Sequence, residues 1–165
     1  MKKLMMIAAL MLMCVGASAQ EKGLKCLGAD FSYAILGHEM PNRVAIGAKA
    51  QYNVTAFFRA EVDFKLYPKK DGATFVNPNL NLQYLFRVGD SERFFVYPTL
   101  GGGLIIWNED VIDNQNLFSF QGGVGTEYHI TEKFKLFLEA TYQHAKKDNY
   151  KWDGAVLAFG GAYYF

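Results

Sequence analysis

The chain has 165 residues, the length of about one domain, with 51% hydrophobic and 20% charged residues and a mean hydropathy of −0.01. Those values exclude a disordered chain, which needs low hydrophobicity and high net charge, and a helical membrane bundle, which needs long apolar runs. A formal net charge of +1 offers no basic excess for nucleic acid, whereas 14 Phe, 10 Tyr and 16 Gly at modest hydropathy suit a membrane β-barrel.

The first element is a leader. Lys2 and Lys3 precede an apolar stretch over residues 4–16, and Ala17, Ser18 and Ala19 follow. A cationic start, a short apolar run and a small-residue ending describe a secretory signal peptide, predicted here over residues 1–19 with cleavage after Ala19. Acylation at Cys14 is disfavoured, because Met11 and Met13 stand where lipoprotein signals carry Leu and a small residue. Loss of Lys2 and Lys3 takes the net charge to −1 and leaves Cys26 as the lone cysteine, so residues 20–165 must form a domain without an internal disulfide.

From there the chain alternates with period two, which no helix can do. Eight segments show it: 27–35, 44–52, 55–67, 76–87, 94–106, 118–129, 134–143 and 155–165. In the third, Ala56, Phe58, Ala60, Val62, Phe64 and Leu66 are all apolar, while Arg59, Glu61, Asp63 and Lys65 charge the other face. Each segment has about the length of a membrane strand, roughly 9–11 residues. Tight turns are predicted near 53, 88–92 and 130–133, and longer polar loops over 37–42, 68–74, 108–115 and 146–152. This reading predicts an all-β fold, an eight-stranded antiparallel up-and-down transmembrane barrel with both termini on the short-turn side. Its soluble rival is a lipocalin-like barrel, which turns its apolar face inward. Aromatics at strand ends favour the membrane form: Tyr52, Phe86, Phe94, Tyr128, Phe134 and Phe165 at one end, Tyr33, Phe64, Phe118 and Tyr142 at the other.

Strand parity then sends Asp30, Glu61, Asp63, Glu127 and Glu139 inward, together with Arg43, Lys49, Arg59, Lys65, Arg87 and Lys135. Such charges must pair, because an unpaired charge away from water is costly. The predicted turn centres set Glu127 opposite Lys135 and Arg43 opposite Asp63. They lay the row Asn77, Asn79, Asn81 and Gln83 beside Lys65, Asp63, Glu61 and Arg59. Glu61, Glu139 and Arg59 are expected to draw together at mid-strand. The network reads either as a gated ion path or as a polar core; an eight-stranded lumen, with room for little beyond side chains, favours the core. No cofactor, metal or catalytic group is expected from the three dispersed histidines. The loop residues Asn108, Glu109, Asp110, Asp113 and Asn114 form an acidic tip. Lys146, Lys147, Tyr150, Lys151 and Trp152 form a basic aromatic one, with calcium or lipopolysaccharide phosphate as conceivable ligands.

The closing sequence Gly160-Gly161-Ala162-Tyr163-Tyr164-Phe165 resembles the terminal strand of bacterial outer-membrane barrels. Tyr97-Pro98-Thr99-Leu100-Gly101-Gly102-Gly103 is similar to strands of porin-like small barrels, and Ser18-Ala19-Gln20 looks like a Bacteroidota signal ending. The mature chain thus resembles the eight-stranded OmpA/OmpX-type outer-membrane barrels. The resemblance implies an outer-membrane location and a monomer among lipids and lipopolysaccharide. It also implies that Tyr163 and Phe165 are read by the barrel-assembly machinery. It further raises the lipid A deacylases, small barrels using His, Ser and an acid; His144 lies at the right end, but their motif wants Ser where this chain has Lys146. The expectation is a non-enzymatic barrel serving envelope integrity or surface interaction. The alternatives are a lipid A-modifying enzyme and a narrow channel.

Overall fold

Residues that alternate apolar and polar along an extended backbone place one kind on each face of a sheet, and that sheet closes here into a ring. The computed structural model describes residues 22–37, 41–70, 72–89, 92–109, 115–147 and 150–165. The predicted leader, His38, Asp110, Asp113 and Asn114 lie outside the described residues, as do the side chains of Asn108, Glu109, Lys147 and Tyr150. Eight strands follow in chain order: β1 (Lys25–Leu36), β2 (Arg43–Asn53), β3 (Phe58–Lys70), β4 (Ala73–Tyr84, resumed at Phe86–Arg87), β5 (Phe94–Glu109), β6 (Gln115–His129), β7 (Phe134–Lys147) and β8 (Tyr150–Tyr164). Every neighbouring pair is antiparallel, and β1 bonds both β2 and β8, with Phe31 opposite Ile46 on one side and Phe159 on the other. The ring leaves no free edge, as hydrocarbon surroundings require.

The apolar face is outside. Phe31, Leu82, Leu100 and Phe120 are all at least 60% exposed, whereas Arg59, Glu61, Glu127 and Lys135 are at most 1% exposed. A soluble protein does not present so continuous an apolar belt to water, so the lipocalin-like alternative is overturned. Tyr52, Tyr128, Phe134 and Phe165 at the turn end and Tyr33, Phe64, Phe118 and Tyr142 at the other are exposed on this surface, at the levels where aromatic girdles sit.

The ends depart from the sequence reading. At the turn end, residues 54–57 and 130–133 share one device. Thr55 Oγ1 accepts the Phe57 and Phe58 amides at 3.2 and 2.9 Å, and Thr131 Oγ1 accepts those of Lys133 and Phe134 at 3.3 and 3.0 Å. Each hydroxyl caps a four-residue turn, which sets Asn53 opposite Arg59 and His129 opposite Lys135. The predicted registers are therefore wrong: Asp63 faces Lys49 rather than Arg43, and Glu127 faces Phe137 rather than Lys135. At the other end the strands run on where loops were expected. Lys70 pairs with Ala73 around a two-residue connection with Gly72 at φ +83°, and Lys147 pairs with Tyr150. An Asp-Gly pair between alternating runs is a strong two-residue hairpin signal. Loop length consequently does not distinguish the two ends.

Two prolines test the ladder. Pro68 sits where the β3–β4 register shifts between Tyr67 and Lys70, a bulge that needs no N–H from it. Pro78 interrupts the β4–β5 ladder between Asn79↔Gly103 and Val76↔Ile106. The Leu104 carbonyl, which a Pro78 N–H would have served, accepts Asn77 Nδ2 at 2.8 Å instead.

Candidate functional site

The lumen is the candidate site, and it is layered. At the end reached by the long strands, Tyr67, Phe75, Ile105, Leu117 and Trp152 form a buried apolar cluster with Trp107 against it. Trp152 was expected in a solvated loop tip; it is 1% exposed because Tyr150–Tyr164 is strand and its even positions face inward. At the turn end, Leu85, Phe95 and Tyr97 form one small cluster, and Cys26, Phe137, Ala162 and Tyr164 another. The charges lie among these layers.

Glu127 is the hub nearest the turns. Arg59 grips it twice, Nη1 to Oε2 at 2.7 Å and Nη2 to Oε1 at 2.8 Å. Lys135 Nζ adds 2.7 Å to Oε2, and His129 Nε2 lies 3.1 Å from Oε1. The two-pronged arrangement uses the planar guanidinium fork, and Asn53, Gln83 and Tyr164 accept the remaining Arg59 donors. Arg59 was expected to join Glu61 and Glu139; the Thr55 turn brings it level with Asn53 and the β6 hub instead.

Lys49 holds the middle. Its Nζ lies 2.7 Å from Glu139 Oε2 and 3.2 Å from Glu61 Oε2, and 4.3 Å above the Phe137 ring. Gln51, Asn81 and Gln83 amides donate to Glu61 at 2.6, 3.0 and 3.1 Å, and the Tyr97 hydroxyl donates to Glu139 at 2.8 Å. Above it, Lys65 Nζ meets Asp30 at 3.2 Å and Asp63 at 3.3 Å, and Ser32 donates to Asp30 at 2.6 Å. The predicted row holds its register, Asn77 to Gln83 beside Lys65 to Arg59. It becomes a bridge across the lumen: Gln121 donates to Asn81 at 2.6 Å and Gln143 to Asn77 at 2.9 Å.

Nine of the eleven predicted charges meet in these three groups; Arg43 and Arg87 do not. Arg43 lies at the far end, where it donates to the Ala73 and Lys70 carbonyls at 3.1 and 3.0 Å and covers Phe75. Arg87 is a quarter exposed and reaches Glu92 at 3.5 Å on the turn side. Parity placed both inward, but their heights put them beyond the strand centre. Sequence reasoning missed His129, Tyr97 and Tyr164 as partners; their inward parity was the available signal. His144 is half-exposed on the outer face, 3.4 Å from Asp153, while Ser32 and Ser119 are buried on the inner face. No triad forms among these described residues, and none of the described residues form a group of three or more metal-ligating side chains.

A closed antiparallel ring with an apolar exterior and a charged interior defines an integral membrane β-barrel of the bacterial outer-membrane kind. The chain belongs to the outer membrane protein beta-barrel domain family, which matches residues 5–165. Its fold is similar to the N-terminal barrel of Pseudomonas aeruginosa OprF, at TM-score 0.72 and 16% identity over 88% of this chain and 100% of that one. It is also similar to Neisserial surface protein A, at 0.67 and 15% over 85% and 95%. The third is Ail of Yersinia pestis, at 0.58 and 14% over 87% and 99%. No curated protein matches the chain. Family and fold together give the outer membrane as its place.

Proposed function

We propose that this barrel is a plugged, non-enzymatic component of the outer membrane whose work lies at its surface and in envelope integrity, not in passage through its lumen. The carrying observation is that the space at three inward glycines is already occupied by their neighbours' side chains. A methyl group at Gly125 would fall 2.5 Å from the Tyr97 ring, one at Gly160 would lie 2.6 Å from Phe137, and one at Gly47 would overlap the Asp30 carboxylate. Eight strands enclose little beyond their own side chains, and here those side chains are paired ions and aromatic rings. In this reading residues 1–19 are removed on export, the termini face the periplasm and the 71–72 and 148–149 hairpins face out.

Planar-bilayer recording tests it. The unmodified protein should show no stable current, and Arg59→Ala or Glu61→Ala should open small conductances. Steady porin-sized currents from the unmodified barrel would defeat the plug.

A further inference from the structure

The outer face of the β7–β8 hairpin carries paired side chains that a plugged lumen leaves unused. Reading toward the membrane, Lys146 stands opposite Lys151, His144 opposite Asp153, Tyr142 opposite Ala155 and Ala140 opposite Leu157. Like charges directly opposed on one face of an antiparallel pair repel. The nearby carboxylate is already engaged: Lys151 Nζ meets Asp153 Oδ2 at 2.9 Å, the Tyr142 hydroxyl donates to Oδ1, and His144 Nδ1 lies 3.4 Å from the same atom. Lys146 is exposed and has no anionic partner among the described residues. Immediately below, Phe120 stands opposite His144 on β6, and Phe120, Tyr142 and Leu157 are all exposed. A cationic pair thus caps a lipid-facing apolar column at girdle height.

We propose that Lys146, Lys151 and His144 hold the phosphate of an outer-leaflet lipid, with its acyl chains along Tyr142, Phe120 and Leu157. Opposed lysines repel a metal cation and call for an anion. The apolar column beneath the His144–Asp153 pair selects an amphiphile over a free anion. Anionic headgroups attract surface lysines with an energy that, for two of them, corresponds to about a thirtyfold change in binding. The proposal rests on the reading that this hairpin faces outward but not on the plug, so failure of either leaves a distinct result.

The test titrates the folded protein in nanodiscs and counts retained lipid by native mass spectrometry. The probes are bis-phosphorylated lipid A, its dephosphorylated form and inorganic phosphate. Phosphorylated lipid should bind about thirtyfold more weakly to K146Q/K151Q, and the unmodified protein should discriminate against the dephosphorylated form to a similar extent. K69Q/K70Q, on β3 across the ring, should behave as the unmodified protein does, and inorganic phosphate should not displace the lipid. Gel migration before and after boiling confirms that each variant is folded. Equal losses in both double variants, or no loss in either, would overturn the site, and displacement by inorganic phosphate would replace it with a soluble-anion site. Failure of a membrane-impermeant amine reagent to label Lys146 and Lys151 on intact cells would overturn the outer-leaflet assignment.

Discussion

Glu127 shows what one buried residue carries. It neutralises Arg59 and Lys135 at once, so Glu127→Gln leaves two buried cations short of an anion. Removing one partner of a buried pair costs about 3–5 kcal/mol, and we expect a loss of that order in unfolding from detergent by guanidinium titration. Asn77 is a smaller case on the backbone. Asn77→Ala orphans the Leu104 carbonyl beside Pro78, at about 1–3 kcal/mol. The check is the pair Pro78→Ala/Asn77→Ala: restoring the backbone N–H should recover most of the loss, and no recovery would show that Asn77 acts elsewhere.

At the scale of elements, the turns decide which charges meet. The Thr55 and Thr131 hydroxyls each hold two amides, and the turns they cap set the registers of β2–β3 and β6–β7. Thr131→Val keeps the shape and removes the acceptor. It should cost about 1 kcal/mol, and amide hydrogen exchange should show early opening of Lys133 and Phe134 before the strands. Uniform protection across the hairpin would mean that the strands alone fix the register. Parity along each strand was legible from residue types because a buried face and a lipid face select opposite chemistry. Register was not, because moving a turn centre by one position shifts a partner by two and preserves parity. That is why Glu139 and Lys135 were placed inward while the Arg43–Asp63 pair was misassigned.

For the whole molecule, closure is the source of stability. Every strand has two bonded neighbours, and the pair β1–β8 joins the ends. Folded protein should migrate differently on a denaturing gel before and after boiling; identical migration would contradict a closed barrel. Phe165 lies outside that closure, 65% exposed, with its amide bonded to the Lys25 carbonyl at 3.1 Å. Deleting it should reduce membrane insertion in cells while refolding in detergent survives. Unchanged insertion would remove its proposed role in assembly.

The sequence by itself determined the all-β class, the strand count and which residues share a face of each strand. Each follows from a period-two pattern repeated eight times over lengths a membrane dictates. Only the tertiary structure decided which charges meet, because Lys49 and Glu139, ninety positions apart, touch through a ring closure that no local signal encodes. It also decided that Trp152 is buried in the lumen rather than decorating a loop, and that Lys146 and Lys151 oppose each other on the outer face. Both follow from strands that run on past the predicted segments, where cross-strand pairing overrides the polar composition that reads as loop.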